Sequence, residues 1–168
     1  MSRDQFQELF YLVDKNDKRL GSVFRHQAHS DSSKIHRSIC VIGINTKNQI
    51  LFQKRSQSKD TFPCFWTLSV TGHVVFGETY LKAARRELLE ELGIKSELKF
   101  IKKILLCLPS ETEFCSIYET AISAGKINHD SDEIITTRWI GFSQLDAFTN
   151  KNNLTPDALQ ILLVLKYF

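Results

Sequence analysis

No apolar run in this chain approaches the ~18 residues that a membrane-crossing helix needs, so a transmembrane helix is excluded. Proline and glycine are scarce, three and seven among 168 residues, and neither gathers into a linker, repeat or low-complexity tract that would mark a domain boundary. The four cysteines, Cys40, Cys64, Cys107 and Cys115, have neither CxxC spacing nor the density of a disulfide scaffold. Cys40 and Cys107 fall in apolar, strand-like runs and read as small core residues. The first residues, MSRDQFQELF, lack a basic start followed by an apolar run and a small-residue cleavage site, which argues against secretion. A reducing cytoplasm is the expected compartment. Charge of one sign is lacking too: the net charge is +3, Lys and Arg are dispersed, and no RNA-recognition signature or basic helix occurs. Nucleic acid is therefore not an expected partner.

What is present describes an ordinary globular chain, 42% hydrophobic and 24% charged, long enough for one well-buried core and short for two. One domain over 1–168 is expected, with strands and loop in 1–33, a core over about 34–145 and a terminal helix in 155–168. Strand patterns cover Glu8 to Val13, Arg19 to Arg25, Ile35 to Ile44, Gln49 to Lys54 and Phe65 to Val75. After a central helix, Leu98 to Leu108, Glu113 to Ala124 and Ile134 to Trp139 continue the pattern. Phe142 to Phe148 reads as a short helix, and Thr155-Pro156-Asp157 starts a last one to about Tyr167, with proline at the tolerated first position. Strands mixed with a central and a terminal helix predict an α+β layered sandwich.

The central helix is the informative element. From about Thr79 to Leu92 the chain has no Pro or Gly and is rich in Leu, Ala, Arg, Lys and Glu. Thr79 is placed to cap its start and Gly93 to stop its end. Leu81, Ala84, Leu88 and Leu92 form one apolar stripe. Glu87, Glu90 and Glu91 stand at i, i+3 and i+4, so their carboxylates crowd on one arc beside that stripe. Like charges at that spacing cost a few tenths of a kcal/mol per pair. A hard divalent cation with oxygen ligands, such as Mg²⁺, would remove the penalty. The plainer reading is a solvated acidic face supported by an Arg86–Glu90 pair.

The longer segment decides between them. GHVVFGETYLKAARRELLEELGI, Gly72 to Ile94, fixes Gly72, Glu78, Arg86, Glu87, Leu88, Glu90, Glu91, Gly93 and Ile94 in the pattern G-x5-E-x7-R-E-U-x-E-E-x-G-U, with U aliphatic. This matches the signature of the Nudix superfamily without departure. The resemblance implies an α/β/α sandwich with a mixed β-sheet and a loop–helix–loop motif. It also implies Glu87 and Glu91 as principal Mg²⁺ ligands (Mn²⁺ being the alternative ion), Glu90 as an additional or water-mediated one, and the Gly72 carbonyl as a further donor. Arg86 would orient the carboxylates, and Glu78 would be a structural partner more than an attacking base. The implied reaction is attack of water on a diphosphate, with metal neutralising phosphate charge.

Outside the signature, Leu51 to Ser56 (LFQKRS), Phe62-Pro63, Phe65-Trp66-Thr67 and Ser69-Val70-Thr71-Gly72-His73 resemble the isopentenyl diphosphate isomerase branch. His29 and His36 are seven apart, His73 follows Gly72, and Glu111 and Glu113 alternate onto one strand face. In isomerases these positions hold a divalent metal, and a mixed N/O set of this kind suits a transition metal or Mg²⁺. Each residue alone is as well explained by a hydrogen-bonded loop or a strand start. Candidate substrate contacts are Lys54, Arg55, Trp66 and Trp139; Phe62, Phe65 and Phe114 could stack on substrate or pack in the core. Two departures cut against isomerase activity: the position of the isomerase cysteine is Thr71, which supplies no thiol, and no tyrosine occurs between Tyr80 and Tyr118. Cys64 is no obvious substitute, and Glu113 could serve as an acid/base or as a ligand from outside the signature. Three functions are thus carried: a Mg²⁺-dependent hydrolase of a nucleoside diphosphate derivative or related diphosphate, an isomerase-like enzyme acting on an isoprenoid diphosphate, and a non-catalytic ligand-binding module. The partner is a small diphosphate compound, and the chain is a monomer or homodimer.

Overall fold

The computed structural model describes residues 8–123, 125 and 127–167. Residues 1–7 of the expected N-terminal segment and Ala124, the expected end of one strand, lie outside that set.

Along the chain the elements are β1 (Leu9–Val13), β2 (Arg19–Phe24), α1 (Arg25–Ala28), β3 (His36–Ile44), β4 (Gln49–Arg55), β5 (Trp66–Leu68), β6 (Val70–His73), α2 (Tyr80–Leu92), β7 (Lys99–Cys107), β8 (Thr112–Ala121), β9 (Ile134–Gly141), a 3₁₀ turn at Phe142–Gln144, α3 (Leu145–Lys151) and α4 (Pro156–Val164). The α2 boundaries follow from its ends. Thr79 Oγ1 accepts the Lys82 N–H at 3.2 Å, and Gly93 closes the helix at φ 68°, a conformation glycine adopts without a Cβ clash.

The main sheet is mixed and seven-stranded, ordered β5-β4-β3-β8-β7, with β6 paired to β3 and β9 to β4. Only β3 and β8 run parallel, His36 opposite Glu113 through Ile44 opposite Ala121. β3 and β4 share a single partner pair, Ile44 with Ile50, so the sheet is joined at one end and parts toward the other. The β1–β2 hairpin forms a separate ribbon, bridged to the sheet through Phe10 and Val75.

Alternation along the strands feeds two cores. Cys40, Ile42, Phe52 and Ile117 pack against Phe148, Ala158, Ile161 and Leu162 of α3 and α4. Ile39, Val41, Leu51 and Tyr118 pack against Ala83, Ala84, Leu88 and Leu92 of α2. Full burial of Leu88 and Leu92 contributes about 1.5–3 kcal/mol each. Helices therefore cover both faces, as the α+β sandwich requires.

Four expectations need correction. The strand expected over Phe65–Val75 is two strands, because the chain leaves β4 for β3 at Ser69, whose hydroxyl donates to Leu51 O and accepts from Gly43 N–H, each at 2.7 Å. Arg25 opens α1 instead of ending β2. The stripe of α2 takes in Ala83, while Leu81 is only partly buried. Cys107 is exposed because it alternates with the buried Leu106 on β7, the sheet's edge strand. Among the described residues, no helix is long and apolar enough to cross a membrane.

Ser69→Ala would strand two buried backbone groups. A loss of about 1–3 kcal/mol is expected, read as a lower urea midpoint with an unchanged m-value.

Candidate functional site

One turn of α2 separates Glu87 from Glu91, and both project toward the end where β3 and β4 part. Glu91 is 5% exposed and accepts from Gln53 Nε2 at 2.8 Å. Burial raises its carboxyl well above the usual range, and neighbouring Glu87 adds to the rise. Glu87 lies against Gly72, where a Cβ would stand 2.5 Å from the Glu87 carboxyl carbon. Absence of a side chain at Gly72 is thus what admits this carboxylate. Burial raises Glu87 too, with Arg86 opposing the shift.

Arg86 ties the loop to the helix. Its Nε and Nη2 donate to the two oxygens of Glu78, each at 3.0 Å, a bidentate pair. Nη1 donates to Glu87 Oε1 at 2.7 Å and Glu90 Oε2 at 3.2 Å, and Nη2 also reaches His73 O at 3.2 Å. Glu78 has the geometry of a structural partner, and Glu90 is exposed at the rim.

A second group forms on the other side of β6. Pairing of His36 with Glu113 and of Ser38 with His73 brings three strands' residues together. Ligand atoms of His29, His36, His73 and Glu111 all lie within 4.8 Å of one another. Glu113 Oε2 stands 3.5 Å from His36 Nε2 and 3.7 Å from His73 Nε2. Phe10 stacks on His73 and His36 at 4.5 and 5.5 Å. Burial holds His29 down to about 4 and His73 well below the usual imidazole value. Burial would lower His36 as well, but the Glu111 and Glu113 carboxylates overcome it and push His36 up to about 9.

These residues fit a divalent cation. His36 Nδ1 faces the Lys34 carbonyl at 3.4 Å, which turns Nε2 inward. His36 Nε2 and Glu111 Oε2 are buried without a hydrogen-bond partner, a costly state that a cation between them would relieve. On α2 the fit is looser, since Glu87 is already engaged by Arg86 and Glu91 by Gln53.

Both groups border one cavity of about 780 Å³. Glu78, Glu87, Glu90 and Glu91 line it from α2 and its loop, and His73, Glu111 and Glu113 from the histidine group; His29 and His36 stand behind them. Arg25, Arg55 and Lys59 bring positive charge to the same walls. Arg25 bonds Asp60 at 3.2 Å and meets His73 Nδ1 at 3.3 Å, and Lys59 pairs with Glu133.

Of the expected substrate contacts, only Arg55 lines this cavity. Lys54 alternates to the opposite side of β4. Trp66 is buried beneath Arg138 and edge-on to Phe148 at 5.4 Å, and Trp139 packs in the α2-side core. Phe62 does reach the cavity, whereas Phe65 and Phe114 do not. Gln53, Arg25, Lys59 and Phe10 were missed. Gln53 left one signal, a polar residue in the inward-facing run of β4; the other three come from β1, the start of α1 and the loop after β4, and carry none.

The NUDIX domain family model matches residues 34–162. Nudix hydrolase 3 of Arabidopsis thaliana is 34% identical over 85% of this chain, which spans only 18% of that protein's length. Prenyl-diphosphate phosphatase of Methanosarcina mazei is 34% identical over 79% of each chain. Isopentenyl-diphosphate Δ-isomerase of Serratia proteamaculans is 31% identical over 86% of this chain and 83% of that one. A crystal structure from Deinococcus radiodurans superposes with a TM-score of 0.80, covering 92% of this chain and 97% of that one at 24% identity, a likeness of fold.

In the metal-free protein, imidazole NMR titration is expected to show His36 protonated up to about pH 9 and His29 neutral down to about pH 4. Because the His36 value lies above that of an unfolded chain, its contribution to stability is full below about 6.5 and is lost as pH rises through 9. A His36 midpoint near 6.5 would contradict the arrangement.

Proposed function

This chain belongs to the Nudix family, and we propose that it is a divalent-metal-dependent hydrolase, with Mg²⁺ the working ion and Mn²⁺ an alternative, that cleaves a diphosphate linkage in a small organic compound. The carrying observation is the single cavity that two groups of metal-binding residue types share with three cations.

Glu87, Glu91, Glu90 and the Gly72 carbonyl are the proposed ligands on the helix side, and His29, His36, His73, Glu111 and Glu113 form the second group. Bound metal would neutralise phosphate charge and acidify an attacking water. Arg86 holds Glu87 and Glu90 by charge-assisted bonds while Glu78 holds Arg86, so the carboxylates are oriented before substrate arrives. Arg25, Arg55 and Lys59 would bind the diphosphate oxygens. Polar walls on one side and Ile39, Phe62, Leu108 and Ile161 elsewhere suit a diphosphate with an organic group attached.

A prenyl diphosphate and a nucleoside diphosphate derivative both meet that description; the name of the Methanosarcina mazei relative favours the first. Isomerisation is the second reading, supported by the same five His and Glu positions. Against it stands Thr71, which lines the cavity with a hydroxyl where that reaction needs a thiol. Retention of acidic residues on every side makes a pure binding module the weakest reading. The reading extends to one cytoplasmic domain, monomeric or homodimeric.

Protein stripped with chelator, then given Mg²⁺ or Mn²⁺, should release phosphate or diphosphate from one of these substrates. Glu91→Gln should lower the rate about 100-fold or more, the scale of several kcal/mol of lost charge stabilisation. Unchanged release by that variant would remove the assignment, and conversion of isopentenyl to dimethylallyl diphosphate would replace it with the isomerase.

A further inference from the structure

The same cavity reaches the α4 side of the sheet, where Ser38, Cys40, Thr71, Cys115 and Asp157 line it. Strand pairing explains the grouping. Thr71 lies opposite Cys40, and Ser38 lies opposite both His73 and Cys115, so these side chains share one face. Two features there are unexplained by metal or diphosphate binding. The Ser38 hydroxyl is 4% exposed and has no hydrogen-bond partner. Asp157 lines the cavity beside the apolar Ile161, on the side closed by the α3–α4 core.

Asp157 is rigidly placed. The segment before α4 is stitched to β5 by Trp66 N–H to Asn153 O at 2.8 Å and Thr155 N–H to Trp66 O at 2.9 Å. The Thr155 and Thr67 hydroxyls, both buried, are 3.0 Å apart. Enclosure holds the Asp157 carboxyl above its ordinary range, while Thr155 and first-turn N–H groups oppose that shift. Asp157 lines the same cavity as Glu113, Cys40 and Cys115. Thr155 holds the N-cap position, and a first-turn aspartate favours the helix N-terminus equally well in open solvent, so the helix start does not account for a position on the cavity wall.

We propose that Asp157, with Ser38 and Thr71, holds the nucleophilic water and that Asp157 is its general base, an inference that rests on the hydrolase reading above. The water oxygen bonds to phosphorus, its proton passes to an Asp157 oxygen, and the P–O bond to the leaving group breaks with the electron pair staying on that oxygen. The proton is then returned to solvent or to the leaving oxygen. On this account the polar compartment takes a water where an alkene would need a dry one.

Asp157→Asn is the test, because asparagine keeps the size and hydrogen-bonding reach of aspartate in the first turn of α4 but cannot take the proton. On the substrate hydrolysed by the wild type, kcat should fall on the order of 100-fold, with KM within about 3-fold and melting unchanged. Formate should restore part of the rate of Asp157→Ala. Should the asparagine variant melt early, Asp157→Ser, which keeps a small polar side chain there, gives the same readout. Either polar variant that keeps more than half of wild-type kcat, or an alanine variant deaf to formate, overturns the proposal. Failure of the parent reading is seen separately, as a wild type that hydrolyses nothing or a Glu91→Gln variant of full activity.

Discussion

Two carboxylates one helical turn apart are held inside a protein wall, and most of the architecture around them answers that problem. Ionised groups brought out of water are costly unless paired or hydrogen-bonded. Here Arg86 takes four oxygen-bearing neighbours, Glu78, Glu87, Glu90 and the His73 carbonyl, while Gln53 serves Glu91. Gly72 is bare because Glu87 occupies the space of its missing Cβ. The loop, the helix and two strands are thus bound to one another through the site itself. Loss of Arg86 would remove the tie between this loop and the helix carboxylates at once.

The parted sheet gives that site its depth. Had β3 and β4 paired along their whole length, strands would fill the place where the cavity lies; they meet only at Ile44 and Ile50. The Ser69 crossing sends β6 to β3, so Gly72 faces α2 while its neighbours Thr71 and His73 face the other way. One dipeptide, Gly72-His73, therefore serves both clusters. Alternation over a single peptide unit makes a helix-borne acidic group and a strand-borne histidine group walls of one chamber.

The character of that chamber depends on what stands beside the acidic and histidine groups. Thr71 and Asp157 make the α4 side polar, and an unpartnered Ser38 hydroxyl deepens the polarity. Such a compartment suits an activated water better than a hydrocarbon awaiting a carbon-bound proton. Relatives named as hydrolase, phosphatase and isomerase can share most of the remaining frame, since activity on one fold is set by a few local groups.

Periodicity and local spacing carried a great deal. The acidic helix with its Thr79 and Gly93 ends, the strand runs, the layered α+β class and the family signature were legible because each depends on residues close in sequence. The His and Glu positions were legible as a set only through resemblance; their convergence depends on parallel pairing of β3 with β8, whose partner residues are 77 apart along the chain. Lys54 and Trp66 looked suitable by type, yet strand alternation and core packing turned them from the cavity. Arg25, Lys59 and Asp157 reach it, and Gln53 reaches Glu91, through long-range placement that no local pattern records. Sequence alone determined which chemistry the helix could perform, since charge spacing on a helix is local. Tertiary structure decided which other groups join it, because that depends on how distant strands register and where the sheet comes apart.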